Sequence, residues 1–471
     1  MLHSAAPEVP HIATERVCRL NSLPEDSEQS YVLYWMQGSQ RAQDNAALEY
    51  AAHRANELRL PLVTVFGLFE KFPEANARSF LFLLEGLADI EASLRKRRVL
   101  FHVERGRPDE IALKYAKRAA LVVCDRAYLR PQKEWRRKLA SEVGVSCIEV
   151  EGDVIVPVRY ASDKREFAAR TIRPKIQRGL AKFLKPVPCF ELEKSALKIN
   201  LPNCFEVEDP QSALRKLSVD TTVPTVSQFF KGGTTEAKKR FSTFLSERLG
   251  RYVENRSKPE TDDVSRMSVY LHYGQISPNY LALEVSKYRD KHPEAVDAYL
   301  EELAVRRELG INFVEYEPHY DAVEKYLPEW CLKTLKTHIK DKREHTYSIR
   351  ELEQAETHDP YWNSAMREAI ATGFMHNYLR MYWGKKILEW STRPSVAYDS
   401  MIKIMNRWFL DGRDPLSYSN VGWIFGLHDR PWGERPIYGT VRCMMASGLE
   451  RKCDMEAYEK KVARYEALSQ R

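Results

Sequence analysis

The chain has 471 residues, 44% of them hydrophobic and 30% charged, with 73 basic against 66 acidic side chains. That length exceeds what one hydrophobic core serves, so two or three domains are expected, and the balance excludes an intrinsically disordered protein. No run of about eighteen uninterrupted apolar residues occurs, which argues against a membrane span, and the net charge of +7 suits a polyanionic partner without requiring one.

Residues 1–29 are polar, contain Pro7, Pro10 and Pro24, and lack the apolar centre of a secretory signal. They read as a disordered N-terminal extension of a soluble, intracellular protein. The eight cysteines are scattered, with no CxxC pair or His/Cys cluster, so reduced thiols and no metal site are expected.

From residue 30 to about 180, strand-like and helix-like periods alternate. Tyr31-Val32-Leu33-Tyr34-Trp35 is an apolar run closed by Gln37-Gly38, and residues 43–58 carry apolar positions at helical spacing. Leu62 to Gly67 is strand-like, residues 78–97 form an amphipathic helix, and Leu100 to Val103 is another strand. A helix over Pro108 to Arg118 and a strand over Leu121 to Asp125 follow. This alternation predicts a Rossmann-like α/β domain with a parallel sheet covered on both faces.

Pro186, Pro188, Pro202, Pro210 and Pro224 mark residues 181–225 as a long linker. Beyond residue 226 the apolar period is helical to the end, and seven of the nine tryptophans fall there. An all-α second domain over 226–471 is expected. No GxGxxG or GxxxxGK[ST] loop occurs, which disfavours an ordinary nucleotide-binding α/β protein.

Two segments of the helical half are distinctive. Tyr299 to Phe313 reads YLEELAVRRELGINF, and Gly426 to Met445 reads GLHDRPWGERPIYGTVRCMM. With MSVYLHYG at 267–274 and LDGRDP at 410–415, they resemble the signatures of class II cyclobutane pyrimidine dimer photolyases, of the photolyase/cryptochrome family. YWMQGSQRAQDNAAL and LPLVTVFGLFEKFPEAN are similar to that family's antenna domain. The resemblance spans roughly residues 30 to 465 and implies a monomeric enzyme. It would hold FAD, active when reduced, with an antenna chromophore of the deazaflavin or folate type, and would repair UV-damaged DNA in the light.

The resemblance also implies site roles. Ser265, Arg266, Met267 and Ser268, at a helix start where unpaired N–H groups favour anions, would hold the flavin pyrophosphate, with Val264 in the same cofactor site and Tyr252 and Arg256 nearby. Arg380 and Asp411, with Gly412 and Arg413, would flank the flavin ring, since extra negative charge in a low-dielectric pocket needs a fixed cation. Trp383 and Trp362 would be inner and outer members of an electron relay. Trp390, two helical turns beyond Trp383, would continue it or fill the core, and Thr372-Gly373 would be the break between two helices. Glu302 would hydrogen-bond the thymine dimer as a partly buried, protonated or polarised acid, with Glu301 and Glu308 as the alternatives. Trp423 would form an aromatic wall against the flipped-out dimer. Arg306, Arg307, His428, Asp429, Arg430, Trp432 and Arg442 would meet DNA. The chain departs from the family at Met405-Asn406, where Asn-Asp or Asn-Asn is usual, and at Met445. Those departures suit a cryptochrome-like flavin photoreceptor without repair, which is the competing reading.

Overall fold

The computed structural model describes residues 6–470. Its first half carries a six-stranded sheet in the order β1-β6-β5-β2-β3-β4. The strands are β1 (Val17–Arg19), β2 (Tyr31–Trp35), β3 (Leu62–Leu68), β4 (Leu100–Arg105), β5 (Ala119–Asp125) and β6 (Cys147–Val150). All pairings are parallel except that of β1 with β6. On β2, Val32 and Tyr34 face helices α1 (Ala46–Glu57) and α2 (Ala77–Lys96). Tyr31, Leu33 and Trp35 face α3 (Pro108–Ala116) and α4 (Arg130–Glu142) on the opposite side. Burial on both faces explains why these strands read as continuous apolar runs rather than alternating ones.

The N-terminal segment corrects the sequence reading. Within the described residues it is ordered: Val9 and Ile12 are buried, and β1 pairs Val17 with Val150 of β6. The Arg16 guanidinium donates to the carbonyls of Glu151, Val154 and Ile155 at 3.0, 3.0 and 2.6 Å. Without β1, strand β6 would be an open edge, and an unpaired ladder is costly to leave exposed.

The proline-rich segment is likewise packed. It leaves the helix Ala169–Phe183 and wraps the opposite sheet edge, where the Phe205 amide donates to the Val103 carbonyl of β4 at 2.7 Å. Leu192, Val207 and Ala213 join the core on one face of the sheet, while Ala196 and Leu201 join the core on the other.

From residue 226 onward the described residues form helices and connecting turns. The helix Pro360–Thr372 ends at Gly373, whose φ of 76° is left-handed, and the chain returns as the helix Asn377–Trp390. Next come the helices Pro394–Trp408 and Pro415–Ile424.

Two contacts lock the halves together. Gly274 (φ 64°) lies so near the Gly38 carbonyl that a Cβ there would stand 1.8 Å from its oxygen. Arg78 of α2, 2% exposed, donates to Pro224 and Ile370 carbonyls at 2.9 and 2.6 Å and to Ala369 and Trp408 carbonyls at 3.0 and 2.7 Å. Burial lowers its pKa to about 9, so it stays a cation at neutral pH. Replacing it by methionine would leave four carbonyls short of a donor. Arg78→Met is expected to cost ~3 kcal/mol or more, read as a lower urea midpoint.

Candidate cofactor and substrate site

The YLEELAVRREL signature begins as a helix, Pro293–Leu300, widens into a π-helical stretch over Glu301–Arg306, and resumes as Arg307–Tyr316. Such widening is rare and recurs at functional sites because it re-aims side chains. Here it sends the carboxylates to different places. Glu301 accepts a two-pronged bond from Arg173 at 3.0 and 2.7 Å and a third from Arg306 at 3.2 Å, and these cations hold its pKa below the ordinary value. Glu308 is buried against the backbone amides of Ile155 and Val156, and burial pushes it up to about 8. It pairs with neither Arg306 nor Arg307 and ties the two halves together. Glu302 meets Arg256 at 2.9 Å, with side chains 43% and 38% exposed. Glu302 is thus partly buried, as expected, with the Arg256 guanidinium as its neighbour.

The Ser265–Ser268 turn differs from expectation. Arg266 has a φ of 57°, so the helix starts only at Ser268 and lasts five residues, with Met267 as its cap. Ser265 does not cap it; its hydroxyl oxygen accepts from Tyr299 at 3.3 Å. Tyr299 packs against Tyr252 at 5.8 Å, which connects this turn to the Glu302–Arg256 pair. Val264 is half-buried and Met267 buried, so any contact there with a phosphate falls to the backbone and Ser268.

Arg380 and Asp411 do form a pair, at 3.0 Å. The Arg380 guanidinium lies 4.8 Å over the Phe409 ring and 5.3 Å over Phe374, and Phe374 also carries Arg266 at 5.4 Å. Around this aromatic floor, four buried polar atoms have no protein partner: Asp411 Oδ1, Arg266 Nε, Trp383 Nε1 and His376 Nε2. Three donors, one acceptor and two cations about these rings fit an anionic cofactor with a planar, polar-edged ring. Gly412 is required by its surroundings, since a Cβ would lie 2.4 Å from the Met405 carbonyl oxygen. Asn406 Oδ1 accepts from the Arg413 amide at 2.8 Å, so it holds the turn. Met405 is 5% exposed and packs in the core. Arg413 turns away and lines a second cavity with His272 and Tyr273, a correction to its assignment beside the flavin.

The three indoles stand in the order Trp383, Trp362, Trp390. Trp383 and Trp362 are nearly parallel (10°) with centroids 6.4 Å apart, and the Trp390 ring crosses Trp362 at 5.4 Å. The Trp362 Nε1–H donates to the Trp383 carbonyl at 3.0 Å. Trp362 is thus the middle member rather than the outer one, because the turn at Gly373 lays its helix between the two indoles of the returning helix. Outward of Trp390 lie Tyr347 at 5.0 Å and His358 at 5.5 Å.

Trp423 is half-buried, with the Arg306 guanidinium 5.5 Å over its ring. Of the residues expected to meet DNA, several face inward. Arg307 donates to the Asp153 carbonyl at 2.7 Å. His428 Nδ1 lies 2.6 Å from the Phe167 carbonyl, and its ring stands edge-on to Phe313. Asp429 accepts from the Arg430 amide at 2.9 Å and Trp432 Nε1 at 3.3 Å, shaping its own loop. Arg430, Trp432 and Arg442 are exposed, with both guanidiniums about 5 Å from the indole, at 5.1 and 4.9 Å.

The second cavity lies where β2 feeds β3 on one side and β5 on the other, the crevice that open α/β sheets use for ligands. Phe66, Phe72, Phe80 and Trp135 line it, together with Gln37 and Gln40. Gln37 Nε2 and Gln40 Oε1 are buried and unpartnered. The sequence signal for these two was the Gln-Gly-Ser-Gln turn directly after β2. Among the described residues, no cluster of metal ligands occurs and no helix is long and apolar enough to cross a membrane.

Fold and site together define the photolyase/cryptochrome family, and the chain belongs to it. Residues 32–193 match the DNA photolyase family model. The chain is 47% identical over 451 residues to the deoxyribodipyrimidine photo-lyase of Methanothermobacter thermautotrophicus, covering 96% of this chain and 98% of that protein. It is 37% identical over 444 residues to the deoxyribodipyrimidine photo-lyase of Potorous tridactylus, covering 93% and 82% respectively. The solved class III photolyase of Agrobacterium tumefaciens shares the fold, with a TM-score of 0.68 at 18% identity over 94% of this chain and 98% of that one.

Burial lowers the pKa of His428 to about 4 and of His376 to about 3, from 6.5. An unfolded chain takes up these protons below pH 6.5 while the folded chain does not, so stability falls as pH drops from about 6.5 toward 4. His428→Gln keeps a donor for the Phe167 carbonyl, and its unfolding free energy is expected to fall less than wild type over that window.

Proposed function

We propose that this chain is a flavin-dependent enzyme that repairs cyclobutane pyrimidine dimers in UV-damaged DNA under light, of the class II type. The observation that carries the reading is the partly exposed Glu302–Arg256 pair, joined through Tyr299 to the turn that bears Arg266, one of the orphaned donors near Arg380–Asp411. When bound, reduced FAD supplies the light-driven electron and receives it back.

The protein's own groups do the rest. Arg380, neutralised only in part by Asp411, holds negative charge at the cofactor ring, while Arg266 and Ser268 meet its phosphates. In its protonated form Glu302 donates a hydrogen bond to a dimer carbonyl, which strengthens as negative charge develops there, and Arg256 orients that carboxyl group. Trp423 gives an extruded base pair an apolar wall, and a damaged pair costs less to unstack than an intact one. The indoles Trp383, Trp362 and Trp390 form a conduit between pocket and surface. The second cavity suits a planar heteroaromatic antenna, deazaflavin or folate, with Gln37 donating and Gln40 accepting at its edge.

A photoreceptor without repair is the second reading, favoured by Met405, a buried thioether where the resemblance leads one to expect an amide. Light-dependent loss of a thymine dimer from a defined oligonucleotide separates the two. Glu302→Ala is expected to lower the repair yield roughly tenfold or more, with lesion binding largely kept; full repair by that variant would remove Glu302 from the mechanism. Trp362→Phe is expected to slow light-driven bleaching of the oxidised cofactor's absorption, while dimers are still repaired by chemically pre-reduced protein.

A further inference from the structure

Phe167 is 49% exposed, on the loop between Ala161 and the helix Ala169–Phe183. A lone exposed apolar side chain is ordinary on a protein surface. This one differs because its loop is held rigid. The Ser162 carbonyl accepts from Tyr316 at 2.7 Å, the Lys164 carbonyl from Asn312 at 3.0 Å, and the Glu166 amide donates back to Asn312 at 2.8 Å. Arg165 is fixed on Glu317 and the Tyr326 carbonyl, both at 2.7 Å. The Phe167 carbonyl itself accepts from His428. Two of the clamping residues, Asn312 and His428, belong to the signature segments, and the loop leads into the helix whose Arg173 holds Glu301, next to Glu302. Phe167 therefore stands on a rigid loop clamped to both signature segments. Among the described residues it has no ring or cation partner, in contrast to Trp432, which already carries two guanidiniums. Lys164 and Arg170, both exposed, flank it.

We propose that Phe167 is a second DNA-contacting aromatic, which stacks on the complementary-strand bases left unpaired when the dimer leaves the helix. The inference rests on the repair reading. A rigid exposed ring offers a π-face without the ordering cost of a mobile one. Extruding a dimer orphans the two bases opposite, and those are the bases free to accept such a face. Lys164 and Arg170 supply charge for the adjoining phosphates.

The test compares wild type, Phe167→Ala and Phe167→Trp in the dark by fluorescence anisotropy. The probes are a dimer-containing duplex, the same dimer in a single strand, and an undamaged duplex. Phe167→Ala should weaken binding to the dimer duplex roughly 5- to 100-fold, leave single-strand dimer binding within about twofold, and be rescued by Phe167→Trp. Equal losses on duplex and single strand, or no loss, would overturn the proposal. A wild type that does not prefer dimer duplex over undamaged duplex would instead sink the repair reading, and this inference with it.

Discussion

Arg78 has no carboxylate partner among the described residues; its charge is spent on backbone carbonyls at the ends of two helices and on the linker. Helix C-termini carry partial negative charge and unsatisfied carbonyls, so a buried guanidinium there answers both. One of those helices carries Trp362, and the other ends just before Phe409, the ring under Arg380. The spacing between the indoles and the Arg380–Asp411 pair thus depends on a side chain from the opposite half of the molecule. Fold and site are not separable here, because the sheet domain sets the geometry of the helical one.

Within the site, environment rather than residue type assigns roles. Glu301, Glu302 and Glu308 lie within eight positions of one another, yet one is neutralised by two arginines, one is half-buried beside a single arginine, and one is buried on amides. On a regular helix Glu301 and Glu308, seven positions apart, would share a face; the π-helical stretch between them shifts that register, and Glu308 turns inward. The same logic separates Arg306, half-buried over Trp423, from Arg307, turned onto the Asp153 carbonyl.

The central strands β2, β3, β4 and β5 were legible in the sequence because burial on both faces demands unbroken apolar runs. Strands β1 and β6 were not: Val-Cys-Arg is only half-buried, and Cys-Ile-Glu-Val hides a glutamate that Arg136 satisfies at 2.6 Å. The indole spacing was readable from helical geometry and from one glycine. The inward turn of Arg307, His428 and Arg413 was not, because their partners are set by how distant segments pack; the Phe167 carbonyl on His428 is 261 positions away. The turn at Ser265 misled for a local reason, since the left-handed Arg266 breaks the helix start that the serine spacing suggested.

The linker's path bears on how the chain reaches this state. Both faces of the sheet are completed by residues from 192 to 213, and the β4 edge is covered by residue 205. A chain emerging from the ribosome has all six strands by residue 150, yet its cores stay open until some sixty further residues have followed. During that interval α1 to α4 already lie on the faces, but both cores lack their last apolar side chains and the β4 edge is open, so the segment that reads as a connector is the last-arriving wall of the first domain.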